Sequence, residues 1–274
     1  MKKMVKVFLT FVMVLSLFAS MSPVQAQKTL ADIQESGELV MGTSADFPPF
    51  EWVILDGGEA QIVGIDADLA QLIADEIGVE LVIEDTSFDG LIPSVSSGRV
   101  DVVLAGVTYS EERAEQVDFS EVYYETNSKF VVPIGQEGDF ESLEDFANLK
   151  IGVQKGTIQE NLLKELLPDA ELVSMNKNGD LIEAIKAKRV DAVLMDGIVV
   201  EEFVNLNSDA IVLMEDIQVE EESEGFAIVT AKDNTELMEV INKVIADVKE
   251  SGQMEEIVTK NTELNAESSE AAAE

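Results

Sequence analysis

"SGRVDVVLAG", Ser97 to Gly106, and "AKRVDAVLMDG", Ala187 to Gly197, are two versions of one unit, with Arg99 and Arg189 standing 90 residues apart. Each passes from a helix end through Arg-Val-Asp into a run of apolar residues of the kind that a strand covered on both faces uses. Two domains of the same general build would produce such a repeat. Chance convergence on a common buried-strand composition is the alternative reading.

Working outward from the repeat, short β-branched runs alternate with helical patterns along nearly the whole chain, which predicts an α/β fold. Upstream, Leu39 to Thr43 reads as a strand. Asp66 is expected to cap a helix carrying Leu69, Leu72, Ile73 and Ile77, with Gly78 as its stop, and Glu80 to Asp85 as the next strand. A short helix through Leu91, Ile92 and Val95, a buried strand from Val100 to Gly106 and a turn capped by Ser110 lead to "DFSEVYYE" and the strand "KFVVPI". The pattern then restarts. Ser142 with Asp145 resembles a capping box, "LKIGVQKGT" is strand then turn, Ile158 to Leu167 is helical up to Pro168, "ELVSM" is a strand and "DLIEAIKAK" a helix. Gly225 to Ala231 is a last strand, followed by helices near Thr235 to Glu250 and Gln253 to Lys260. Residues 265–274, "NAESSEAAAE", are expected to be a disordered acidic tail.

Residues 1–26 have the form of an export signal: Lys2, Lys3 and Lys6, an apolar stretch from Val7 to Ala19, and small residues before a cleavage point after Ala26. That stretch falls short of the ~20 apolar residues of a bilayer span. The expected mature protein is therefore exported, to the periplasm or the outer face of the membrane. Cysteine is absent, so neither disulfides nor a lipid-bearing cysteine is expected, and stability must come from burial.

The chain carries 18 basic and 55 acidic residues for a net charge of −37, or −40 without the three lysines of the leader. Nucleic acid and anionic membrane surfaces would be repelled by such a body, whereas a cationic ligand would be attracted. Histidine is also absent. The usual Ser-His-Asp, Cys-His and zinc chemistries are excluded, no metal or cofactor is implied, and any enzyme would have to work with carboxylates, Lys or Tyr.

One stretch is rich in aromatics. "GTSADFPPFEW", Gly42 to Trp52, leaves a strand through two prolines, two phenylalanines and a tryptophan, although turn chemistry asks for none of these rings. They either cap a core or line a site.

Taken in order, "GTSADFPPFEW", "IVGIDADLAQLIADEIGV", "SFDGLIPSVSSGRVDVVLAG", "SEERAEQVDFSEVYY", "LEDFANLKIGVQKGTIQE" and "RVDAVLMD" resemble the extracellular solute-binding proteins of bacterial ABC importers, in the polar amino-acid group. The resemblance spans about Leu39 to Lys260. It implies a two-lobed, periplasmic-binding-protein-like (type II) fold with two crossover strands and a central ligand cleft. Lobe 1 would comprise residues 27–125 plus 226–264, and lobe 2 residues 126–225.

The resemblance also implies roles. Arg113 would hold the α-carboxylate of a free amino acid, as a planar guanidinium suits, and Asp196 its α-ammonium. Thr108 and the Gly106 backbone would donate to the carboxylate, as would Thr157 at a helix N-terminus. Phe47 and Phe88 would sandwich the ligand side chain, with Trp52 as support. Ser44 stands where binders of cationic amino acids often carry a carboxylate, and Asp46 and Glu51 are near it in sequence, so Arg, Lys, His and Gln all remain open. The implied partners of this monomeric protein are a permease and its ATPase. Two other functions compete: a cleft-carboxylate dehydratase on the same fold, as in the cyclohexadienyl dehydratases, and a ligand-sensing ectodomain partner.

Overall fold

The repeated Arg-Val-Asp step does the same job twice. In the computed structural model, which describes residues 27–220 and 225–273, Val100 and Val190 are both buried. The Asp101 N–H donates to the Val40 carbonyl (2.8 Å) while its carboxylate accepts from the Val40 N–H (2.9 Å). Asp191 repeats both bonds with Lys150, at 2.7 and 2.8 Å. The aspartate thus pins one strand to the start of its neighbour, supplying an acceptor that the ladder alone would leave missing there. The expected export signal lies outside the described residues.

In chain order, α1 (Leu30–Ser36) leads to β1 (Glu38–Thr43), a ribbon of β2 (Asp46–Phe47), β3 (Glu51–Asp56) and β4 (Glu59–Val63), then α2 (Ile65–Ile77) and β5 (Glu80–Asp85). α3 (Leu91–Ser96), β6 (Val102–Val103), α4 (Glu111–Ala114) and β7 (Val117–Glu125) follow. The second series is β8 (Ser128–Pro133), β9 (Lys150–Gln154), α5 (Ile158–Leu166), β10 (Glu171–Met175), α6 (Asn178–Lys186), β11 (Ala192–Asp196), α7 (Gly197–Leu206) and β12 (Ile211–Met214). β13 (Gly225–Ala231), α8 (Thr235–Ser251) and α9 (Gln253–Ala273) close the chain.

The strands form two five-stranded sheets of matching order, β5-β1-β6-β13-β7 and β10-β9-β11-β8-β12. In the first, β1 runs parallel to β5 and β6, and β13 is antiparallel between β6 and β7. In the second, β9 runs parallel to β10 and β11, and β8 is antiparallel between β11 and β12. The antiparallel strand of each sheet is reached from the other sheet: β7 passes into β8, and the chain after β12 returns as β13. These are the two crossovers of a two-lobed α/β fold, and β6 and β11, the two copies of the repeat, hold equivalent places in it. One buried apolar cluster includes Leu39, Leu69 and Phe226 of the first sheet's lobe together with Val131, Leu181 and Val193 of the second.

Three expectations change. Regular pairing of the strand expected over Val100 to Gly106 is confined to Val102–Val103. Asp66 does not cap its helix: Gly64 holds that position, and Asp66 is a fully buried residue of the first turn. Residues 265–273 are not outside the fold but continue α9, where buried Asn265 donates to Glu202 of α7 (2.9 Å) and Asn261 to Asp68 of α2 (2.7 Å). The tail's Ala and Glu are strong helix formers, so a composition that reads as low complexity also extends a helix once its first turns are docked.

Candidate functional site

Ser44, Phe47, Phe88, Gly106, Thr108, Arg113, Thr157 and Asp196, the eight residues singled out in the sequence, all line one cavity between the two lobes. Glu51, Ala105, Gln154, Ile158 and Gln159 complete its wall. The walls come from strand ends and helix starts, where open α/β sheets place ligands.

Arg113 sits in the single turn of α4, whose start is fixed by the Ser110 hydroxyl accepting from the Arg113 N–H (3.3 Å). Its side chain does not join the neighbouring glutamates. Nη1 donates to the Thr108 carbonyl (2.6 Å) and Nη2 reaches across to the Gly156 carbonyl of the second lobe (3.0 Å). The guanidinium carbon lies 5.5 Å from the Phe88 ring centre, within cation–π range. Burial pulls the Arg113 pKa down to about 10, opposed by the Asp196 and Glu112 charges, so the group stays cationic at neutral pH.

Asp196 ends β11 and occupies the N-cap position of α7 without capping it through its side chain. Instead Oδ2 accepts from Gln159 Nε2 (3.0 Å), which also donates to the Ser128 hydroxyl (3.0 Å). Gln159 therefore aims the carboxylate, a positioning role the sequence reading missed.

Thr157 is the N-cap of α5. Its hydroxyl donates to the Gln154 carbonyl (2.7 Å) and accepts from the Glu160 N–H (3.2 Å), so it is spent on the helix, and what the helix start offers the cavity is first-turn N–H groups. Gly106 also departs from expectation: its N–H donates to Asp66 Oδ2 (3.1 Å) and is taken. Its φ of +55° and the 2.5 Å that would separate an added Cβ from the Phe47 ring explain why glycine stands there. We predict that Gly106→Ala strains the turn and displaces Phe47, lowering stability by about 1–3 kcal/mol, the usual cost of overpacking. Urea unfolding checks this.

Phe47 and Phe88 both reach the cavity but differ in setting. Phe47 is buried against Phe50 and Phe226, each with a 5.8 Å centroid separation, so it is core as well as wall. Trp52 is buried outside the cavity lining.

Glu51 is the acidic residue that the aromatic stretch Gly42 to Trp52 brings to the cavity. It lies directly across the β2–β3 ribbon from Phe47, and cross-strand partners share a face, so both side chains turn to the cavity. Glu51 is fully buried and neither carboxylate oxygen has a hydrogen-bond donor. Burial first, then the nearby Asp66 charge, push its pKa well above the carboxylate range. Asp46, by contrast, is not among the cavity's lining residues: it accepts from the Ser44 hydroxyl (3.3 Å) and from the Asn178 N–H (2.7 Å), capping α6 of the second lobe from the first. A third link between the lobes is the Lys155–Asp89 ion pair at 2.7 Å.

Two like-built lobes clasping a cavity that holds a fixed cation, a fixed anion and apolar rings define a cleft-type solute-binding protein. Residues 39–263 match the bacterial extracellular solute-binding proteins, family 3, and the chain belongs to that family. It is 38% identical over 231 residues to the arginine-binding extracellular protein ArtP of Bacillus subtilis, covering 82% of this chain and 87% of that one. It is 29% identical over 255 residues to the L-cystine-binding protein TcyJ of Escherichia coli, with 91% and 92% covered. Among solved structures, an amino acid ABC transporter substrate-binding protein AbpA from Streptococcus pneumoniae bound to L-arginine superposes with a TM-score of 0.82 at 37% identity, covering 86% of this chain and 98% of that one.

Proposed function

We propose that this protein captures a cationic L-amino acid, arginine foremost, outside the cytoplasmic membrane and delivers it as a monomer to an ABC permease and its ATPase, without catalysis. Arg113 meets the α-carboxylate, helped by first-turn N–H groups of α5, and Asp196 meets the α-ammonium. The observation that carries the choice of a cationic ligand is Glu51: a zwitterion already satisfies Arg113 and Asp196, and a further buried carboxylate without donors calls for a positive side chain between Phe47 and Phe88. The arginine named in two of the similar proteins agrees with this.

The lobes, residues 27–125 plus 226–264 and residues 126–225, would close by hinge motion at the two crossovers, with Asp46–Asn178, Asp89–Lys155 and Arg113–Gly156 contacts formed in the shut state. Continuation of α9 to Glu202 adds one more contact to break on opening. A thermal-shift screen of the twenty amino acids tests the reading. Arginine should give the largest stabilisation, of about 2.7 kcal/mol at one hundred times its dissociation constant. Prephenate and arogenate should show no turnover. Turnover, or a screen led by an acidic or aliphatic amino acid, would overturn the assignment.

A further inference from the structure

Behind the cavity wall Glu51 has a second carboxylate for a neighbour: the Asp66 N–H donates to the carbonyl of Phe50, the residue before Glu51 (2.9 Å). Asp66 is also fully buried, and its two oxygens accept from the Tyr123 hydroxyl (2.7 Å) and the Gly106 N–H (3.1 Å). Two bare carboxylates buried side by side cannot hydrogen-bond to each other, because neither has a hydrogen to give. The two donors sit on Asp66, and Glu51 has none. Asp66 is therefore the half of the pair suited to hold negative charge, and Glu51 the half suited to hold hydrogen.

We propose that Glu51 and Asp66 share a single proton while the cleft is empty, and that the cationic end of the ligand side chain expels it to solvent, so that capture of a guanidinium or ammonium group is coupled to proton release. The inference rests on the reading of the cleft as a site for a cationic amino acid.

The surroundings favour this. Besides Asp66 on α2, the charges acting on Glu51 are Asp46 on the same ribbon and Asp196 from the second lobe, all negative. Tyr123 on β7, pushed up by burial and by the two carboxylates, stays a neutral donor. Arg113 has its charge partners in Asp196 and Glu112. Burial raises Asp66 to about 6 and Glu51 well above its ordinary value. Two full negative charges buried side by side are strongly disfavoured, as in other carboxylate dyads. An arriving guanidinium gives the Glu51 oxygens donors and a counter-charge, and the proton then has no reason to stay. A neutral side chain of the same shape leaves it in place.

The sign follows. Below the pKa of the empty pair, arginine must displace a proton, so its affinity rises with pH by up to about tenfold per unit and flattens once the empty pair has lost the proton by itself. Affinity for citrulline, the neutral analogue, stays flat. The pair thereby makes discrimination between cationic and neutral ligands grow with pH.

Calorimetric titrations with L-arginine and L-citrulline, from pH 5 to 9 in buffers of different ionisation enthalpy, count the protons directly. The wild type should release up to one proton with arginine and none with citrulline. Glu51→Gln should abolish the release, and Asp66→Asn should move it to lower pH. Arginine binding with no proton released at any pH overturns the proposal, as does release that persists in Glu51→Gln; release unchanged in Asp66→Asn would assign the proton to Glu51 alone and overturn the shared pair. Should Asp66→Asn fail to fold by circular dichroism, Tyr123→Phe takes its place: loss of the hydroxyl that donates to Asp66 should move the release to higher pH, and a release left unmoved would overturn the shared pair. Absence of binding by any amino acid would instead count against the function proposed above.

Discussion

Arg113→Ala is expected to weaken binding of every amino acid, arginine and glutamine alike, by about 10²- to 10⁴-fold, since truncating one partner of a buried ion pair costs about 3–5 kcal/mol. The loss should be indifferent to the ligand side chain because the guanidinium addresses the α-carboxylate that all amino acids share. Folding should be little affected: the side chain bonds only the carbonyls of Thr108 and Gly156, at the edge of a water-accessible cleft, and α4 keeps its Ser110 cap. Closure loses one link between the lobes as well. Calorimetry with both ligands, alongside thermal melts of the empty protein, checks the claim. Binding retained within threefold would remove Arg113 from the site.

Glu51→Gln should have the opposite selectivity. Arginine loses a charge-assisted contact of about 1.5–3 kcal/mol, roughly 10- to 100-fold, while citrulline loses little, so the ratio of the two affinities collapses. The empty protein should become more stable at neutral pH, because the substituted side chain carries no charge to bury and its amide can donate to Asp66. The sign is fixed by the raised Glu51 pKa: the stability tied to its protonated form is complete below the ordinary glutamate value and is lost as pH climbs toward the folded value. The gain from the substitution therefore grows over that interval. A site that stores strain of this kind gives up stability for function. Equal losses for arginine and citrulline would show that Glu51 does not meet the side-chain charge.

Much of the fold was legible because its signals are local. The Arg-Val-Asp repeat needs only a strand's burial and one aspartate's two bonds, and both copies make them. The glycine stop at Gly78, the cap at Ser110 and the capping box of Ser142 with Asp145 were likewise readable from a few neighbouring residues. What escaped depends on partners distant in sequence. Asp66 looks like a cap until Tyr123, 57 residues on, and Gly106, 40 residues on, claim its carboxylate. Gln159 is one polar residue among several in α5 until Asp196 comes beside it. Glu51 was within the stretch that drew notice, yet its direction follows from the β2–β3 register, which the tight turn after Phe47 sets and single-sequence alternation does not reveal. The eight candidate residues converge on one cavity, but three use their polar groups otherwise than expected: the Thr157 hydroxyl and the Gly106 N–H are spent inside the protein, and Ser44 donates to Asp46.

The most direct test of the central claim is a calorimetric titration of L-arginine into the mature protein after unfolding and refolding to strip any carried ligand, with L-glutamate as the control. A single site per chain that binds arginine and releases no measurable heat with glutamate is the predicted result. Failure of arginine to bind to protein shown to be refolded, or equal binding of the two, would contradict a cleft built from Arg113, Asp196 and Glu51 for a cationic amino acid.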